Sequence, residues 1–333
     1  MTEEQTQKRT GFWILAAGLL GLLWGCNHRP PEEDVQREIE SGVRRMHRAG
    51  AWYPARAKPL RELLNRQLKE ARLDKGLLEK RVVGLISPHA AYFASGATAA
   101  HGFKALARHR GVRRVIIVGL VHKDAHQGIS LPRFRFYRTP LGSVEVDAAA
   151  VDSLRGKAPF VSVPWTHWVE HSVEAQLPLL KHVQPKAKIV PLMMGKVDEA
   201  GLRRAGELLA PLMGPETVFI ASSDFTHRGR WKHWYEVSRR DGESLAAALR
   251  RLDHGAVSAI GDLDLSGLLA YRRDTGITIC GWRAIGLMLV TLRKAGRPLS
   301  THVLHYSTSA RARGKWDWSV SYLSVALMTP VEG

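Results

Sequence analysis

Leucines at positions 60, 63, 64, 68 and 73 fall mostly along one stripe of a helix, and this spacing predicts a helix over 60–73. The period then changes. Val82-Val83-Gly84-Leu85-Ile86, Val115–Val118, Ile189–Met193 and Val218–Ala221 are short, continuous apolar runs that read as strands buried on both faces. Segments 96–107, 173–182 and 199–212 lie between or after them with helical spacing. Continuous apolar strands alternating with helices predict an α/β fold, a single domain with a mostly parallel sheet and helices on both faces. Val303–Tyr306 and Val320–Leu327 read as later strands forming an antiparallel pair at one edge. No internal repeat, low-complexity tract or domain break interrupts 49–330.

The amino-terminal pattern is different. Lys8 and Arg9 precede Gly11–Gly25, an uncharged run of 15 residues. Crossing a bilayer takes about 20 apolar residues, so the run suits a signal-peptide core better than a stable membrane helix. It ends at Leu23-Trp24-Gly25-Cys26, which resembles a lipoprotein cleavage site with Cys26 as the acylated residue. Trp24, and the acids Glu3 and Glu4, depart from that pattern, so an uncleaved amino-terminal anchor and a buried helix stay open. The expected organisation is a lipoprotein-type signal peptide over 1–26, a polar tether over 27–48 containing Pro30-Pro31, and a folded body over 49–330. The expected location is the periplasm or cell exterior, on a membrane.

Charge sharpens that expectation. Lys and Arg number 49 against 31 Asp and Glu, a net charge of +18 spread along the chain. No nucleic-acid module signature accompanies it, so no specific nucleic acid is expected, and an anionic membrane surface is the expected polyanion. Only two cysteines occur, and acylation of Cys26 would leave Cys280 a lone thiol.

Ligands of open α/β sheets gather beyond the carboxyl ends of the strands. Three predicted strands deliver a histidine there: Ser87-Pro88-His89, Gly119-Leu120-Val121-His122, and Ser222-Ser223-Asp224-Phe225-Thr226-His227. Taken singly, His89 and His122 read as turn histidines, Asp224 as a turn cap and Cys280 as an inert buried thiol. Trp168-Val169-Glu170-His171-Ser172-Val173-Glu174 reads as a helix start, with Ser172 as its cap and Glu174 near its positive end. The remaining histidines, among them His101, His126, His167 and His305, read as structural or surface residues. Together, the histidines at one sheet edge point to a site.

Trp52-Tyr53-Pro54, Ser87-Pro88-His89-Ala90-Ala91-Tyr92, Thr139-Pro140-Leu141-Gly142, Glu170-His171-Ser172-Val173-Glu174-Ala175-Gln176-Leu177-Pro178, Ser222-Ser223-Asp224-Phe225-Thr226-His227 and Thr278-Ile279-Cys280-Gly281 resemble, in order, the motifs of the Memo family. Its prokaryotic members are called AmmeMemoRadiSam system protein B. The resemblance implies a fold similar to class III extradiol dioxygenases, which use non-haem iron. It implies a metal held by His89, His122 and Cys280, with Asp224 and His227 as acid/base residues and Glu170, His171 and Tyr92 around them. Ala91, Lys123 and Trp282-Arg283 depart from the family's pattern. Two imidazoles and a thiolate leave an open coordination position, and the sulfur admits copper and zinc beside iron. The expected cofactor is one metal ion per chain, Fe(II) or Cu ahead of Zn. The expected activity is a metal-dependent redox reaction on an unidentified small molecule, with His227 as general base oriented by Asp224. A non-catalytic metal-binding protein and a scaffold are the alternatives.

Overall fold

The computed structural model of the chain describes residues 30–122, 125–229, 237–261, 263–296, 299–310, 314 and 318–330. The leader, including the expected lipidation site Cys26, lies outside the described residues. In chain order the first elements are α1 (Glu32–Ser41), β1 (Val43–Arg44), α2 (Ala57–Glu70), β2 (Lys80–Ser87), α3 (Ala97–Arg108) and β3 (Arg114–Leu120). There follow β4 (Ile129–Ser130), β5 (Phe136–Thr139), β6 (Gly142–Glu145), α4 (Ala148–Leu154), β7 (Phe160–Val161), α5 (Pro164–Val169) and α6 (Leu177–Val183). The rest are β8 (Lys188–Met194), α7 (Glu199–Leu209), β9 (Thr217–Ser222), β10 (His227–Arg228), α8 (Leu245–Ala259), α9 (Leu265–Thr275), α10 (Trp282–Lys294), β11 (Ser300–Thr308) and β12 (Ser319–Pro330).

The four apolar runs become β2, β3, β8 and β9, and they pair in parallel in the order β2-β9-β3-β8. Leu85, Ile86, Ile116, Ile117 and Ile220 along them are fully buried. Each such side chain contributes about 1.5–3 kcal/mol of hydrophobic stabilisation. The helices α3 and α10 pack on the sheet, α3 against β2 and α10 against β9, β2 and β3; α7 lies on α10. Asp198 caps α7 by accepting the N–H of Gly201, and Ser244 caps α8 through Ala247. The β11–β12 pair is antiparallel at the sheet edge, as its pattern predicts. A small separate sheet joins β1, β5 and β6. Among the described residues no helix is long and apolar enough to cross a membrane.

Two expectations are corrected. Most of the described part of the 27–48 stretch is ordered secondary structure rather than a tether. Residues 32–41 form a helix with Glu32, Glu33 and Asp34 in its first turn, where the helix dipole favours acids, and Gly42 ends it in the left-handed conformation. Arg44 behind it is 1% exposed. The expected helix 173–182 is a tight turn at Glu174–Gln176 followed by α6. Glu174 does not serve its start: it is buried as the ion-pair partner of Arg44.

Candidate metal centre

Because β2, β9 and β3 are neighbours in one parallel sheet, their carboxyl ends present His89, Asp224 and His122 side by side. Each lies two residues past its strand. Cys280 comes from the turn before α10, and Glu170 and His171 come from the turn after α5. The nitrogens of His89, His122 and His171 all lie within 4.8 Å of one another, so these three could hold a metal ion.

The hydrogen bonds assign the ring tautomers. Ser222 has one hydroxyl proton, which it donates to the Ser172 carbonyl at 2.7 Å. It therefore accepts from Gln176 Nε2 at 2.9 Å and from His89 Nδ1 at 3.0 Å. Gln176 is itself oriented by the carbonyl of Pro88, which its amide reaches at 3.0 Å. With its proton on Nδ1, His89 turns the Nε2 lone pair toward Cys280 Sγ, 3.5 Å away. Two donors on one tetrahedral ion, at metal–nitrogen and metal–sulfur lengths of about 2.05 and 2.3 Å, would sit about 3.6 Å apart. Burial first, and then the charges of His122 and His171, hold His89 well below its ordinary pKa, so the ring is neutral.

Glu170 organises the other side. Its carboxylate accepts the backbone N–H of His122, His171 and Ser172 and, at 3.0 Å, the Nδ1–H of His122. Burial would raise its pKa, but His122 and His171 together hold it well below the carboxylate range. Burial also opposes charge on His122, yet Glu170 and Cys280 raise it well above its usual value. Without a metal, His122 is thus an imidazolium between a carboxylate and the Cys280 sulfur, a position a cation can take over. Its side chain is 33% exposed, so one flank of the site opens to solvent. Burial pushes the Cys280 thiol up.

Ring geometry separates the histidines. His89 stands at 90° to His122, with centroids 5.2 Å apart. His171 instead stacks on His122 at 4.6 Å and 15° and meets Trp52 at 4.3 Å. His171 Nδ1 is buried and has no hydrogen-bond partner, although Glu170 Oε1 lies 2.9 Å away.

Two close approaches require glycine. A Cβ on Gly281 would lie 2.5 Å from the Ser222 carbonyl, and one on Gly119 would lie 2.5 Å from Ser172 Oγ. Ser172 is not a helix cap: its hydroxyl bridges the N–H and carbonyl of Leu120 at the end of β3, 3.0 Å from each.

Asp224 and His227 are both here, but Asp224 does not orient His227. Asp224 Oδ1 accepts the N–H of His89, and its other oxygen lies 3.9 Å from His89 Nε2. Burial raises Asp224 to a pKa of about 7. His227 donates Nδ1–H to the Thr278 carbonyl at 3.1 Å, and its own N–H is held by Thr278 Oγ1, so Thr278 is the orienting residue. Burial lowers the His227 pKa, keeping it a neutral base. Tyr92 is buried, and its hydroxyl donates to the Ala175 carbonyl, which makes it a wall of the fold near the site rather than a group free to meet substrate.

Ser222, Gln176 and Thr278 fall within the family motifs but carry no expected role there, and Arg44 sits in the stretch expected to be a tether. The signal available for Ser222 is its place as the last residue of an apolar strand aimed at the site. Arg44 donates to the carbonyls of His167 and Glu170 at 2.9 Å and of Trp168 at 3.1 Å, and pairs with Glu174. Glu174 also accepts Tyr53 OH at 2.6 Å and the N–H of Arg48 at 2.8 Å. This network ties the amino-terminal segment to the turn that carries Glu170 and His171.

Comparison with known proteins places the chain among named relatives. Residues 44–326 match the family model described as Memo-like protein. A MEMO1 family protein of Methanosarcina mazei is 33% identical over 283 residues, 83% of this chain and 96% of the relative. The memo-1 homolog of Caenorhabditis elegans is 33% identical over 84% of this chain and 81% of its own length. Protein MEMO1 of Xenopus laevis is 31% identical over 86% and 98%. A solved uncharacterized protein of Escherichia coli, JW3007, superposes with a TM-score of 0.44 at 16% identity over 74% of this chain.

Proposed function

The chain belongs to the family of Memo-like proteins, and from that premise we propose that it is a metal-dependent redox enzyme whose ion is held by His89, His122 and Cys280. One observation carries the ligand set: His89 Nε2, with its lone pair fixed by Ser222, lies 3.5 Å from Cys280 Sγ, the spacing of two donors on one ion. His171 stacks on His122 and so lines the centre instead of completing it. When bound, the ion, Fe(II) or copper ahead of zinc, supplies an open position for oxygen or a substrate donor atom.

The chain's own residues supply the rest. Glu170 keeps His122 Nδ1 protonated and Ser222 keeps His89 Nδ1 protonated, so each ring offers Nε2. Thr278 does the same for His227, which puts the His227 lone pair on Nε2 and suits it to act as general base. Asp224, whose pKa burial raises, is placed beside His89 to return a proton. Trp52 and His171 form an aromatic flank on which a flat substrate can lie.

Oxygen uptake by the iron-loaded chain against a panel of catechols tests the reading. Uptake that Cys280→Ser and His89→Gln abolish supports it. Tight metal binding with no uptake would replace the enzyme by a non-catalytic metal-binding protein. We also propose an envelope location on an anionic membrane, from the +18 charge and the apolar leader ending at Cys26; recovery of the wild-type chain in the soluble fraction would contradict it, and a Cys26→Ala chain that stays in the membrane would replace the lipid by an uncleaved anchor.

A further inference from the structure

Beyond the carboxyl end of β8, at the same sheet edge, a cleft of about 410 Å³ opens between the Gly195–Asp198 turn and the start of α10. Gln127, Gly128, Lys196, Asp198, Gly201 and Arg283 line it. Its charges are unusual. Arg283 is the second residue of α10, which begins after Gly281 with no side-chain cap. A cation there opposes the helix macrodipole, and the first amides of the helix have no side-chain acceptor. Arg283 is held in place: its Nε donates to the Val197 carbonyl at 2.9 Å, and its guanidinium carbon lies 4.3 Å from the centre of the Trp282 ring.

The same ring carries a second cation. The guanidinium carbon of Arg272, at the end of α9, lies 4.2 Å from that centre, and Arg272 Nε is buried with no hydrogen-bond partner. Two guanidinium groups thus share one indole. Burial depresses the pKa of both, Arg283 adds to the effect on Arg272, and no carboxylate offsets it for either. Lys196 adds a third positive charge on the exposed rim. The single carboxylate lining the cleft, Asp198, spends Oδ1 capping Gly201. The Trp282 ring and the Val197 carbonyl hold these cations in place, but none of these contacts supplies a negative charge. An anion in the cleft would supply that charge, meeting the guanidinium fork of Arg283 and the ammonium of Lys196 at the positive end of α10.

We propose that this cleft binds the anionic group, a carboxylate or a phosphate, of a small molecule, with Arg283 as the anchoring fork and Lys196 as the second cation. Trp282 and Arg272 hold that fork in position. The site does not depend on the metal reading, because none of its groups is a ligand.

Calorimetric titration of the full chain with inorganic phosphate and, separately, with succinate in low-chloride buffer tests it. Saturable binding of either probe, weakened at least tenfold by both Arg283→Gln and Lys196→Gln and unchanged by Arg66→Gln on α2, is the expected result. Phosphate alone would mark a phosphorylated ligand, and succinate alone a carboxylate. Should Arg283→Gln fold poorly, Lys196→Gln carries the test, since Lys196 is on the surface. No saturable binding of either probe, or equal weakening by Arg66→Gln, would overturn the proposal by reducing the effect to diffuse charge.

Discussion

Replacing Arg44 with Met removes every donor from a guanidinium that the fold surrounds. Arg44 and Glu174 are each 1% exposed, and Arg44 also serves the carbonyls of Arg45, His167, Trp168 and Glu170. Removing one partner of a buried pair leaves an uncompensated charge, here Glu174, at a cost of about 3–5 kcal/mol. Glu174 keeps Tyr53 OH and the N–H groups of His47 and Arg48 as partners, which softens the loss, whereas the orphaned carbonyls add to it. We expect a net loss of about 4 kcal/mol, a large share of the roughly 5–15 kcal/mol by which proteins are stable. Urea unfolding of the metal-free chain measures it. The double variant Arg44→Met/Glu174→Gln removes the stranded charge and should recover about 2 kcal/mol of that loss. A single-variant loss under about 1 kcal/mol, or a double variant no more stable than the single, would refute the claim that this pair ties the amino-terminal segment to the site.

Glu170→Gln should weaken metal binding by about 10–100-fold, because the amide no longer holds His122 Nδ1–H with a charge; competition against a chelator measures it. Gly281→Ala should abolish metal loading at a smaller loss of stability, since its Cβ would lie 2.5 Å from the Ser222 carbonyl and must push Cys280 aside; elemental analysis beside a melting curve separates the two effects. Asp253, buried under Thr226, Tyr306 and Ser321, has its pKa raised by burial from 3.8 to about 6. The folded chain therefore holds that proton more tightly than the unfolded chain. The stabilisation is complete below about pH 4 and is lost as pH rises through about 6, amounting to about 3 kcal/mol. Asp253→Asn should flatten the stability–pH curve of wild type in that window, and an unchanged slope would contradict the assignment.

The strands were readable because a buried parallel strand needs a continuous apolar run, and each of the four runs lies within the strand it predicts. Their order was not. Nothing local places β9 between β2 and β3, and only that insertion sets Asp224 between the two histidine-bearing strands. His89 and His122 could be picked out because they follow apolar strands, and Cys280 because it matches a family motif in the turn before α10. The roles of Ser222 and Thr278, which share those motifs, could not be read: they act through a hydroxyl or a backbone carbonyl, which any core serine or threonine also has. Asp224 was expected to orient His227 because they share a motif, yet the turn at Phe225–Thr226 sends them to different partners. Arg44 was hidden for the opposite reason. A lone arginine in a polar stretch reads as solvated, and its partner Glu174 lies 130 residues away.

X-ray absorption at the metal edge of the anaerobically loaded chain tests the central claim most directly. One metal ion per chain, with about two nitrogen neighbours near 2.0–2.1 Å and one sulfur near 2.3 Å that disappears in Cys280→Ser, is the predicted result. A shell of nitrogen and oxygen alone that Cys280→Ser leaves unchanged, or a chain that takes up no metal, would contradict it.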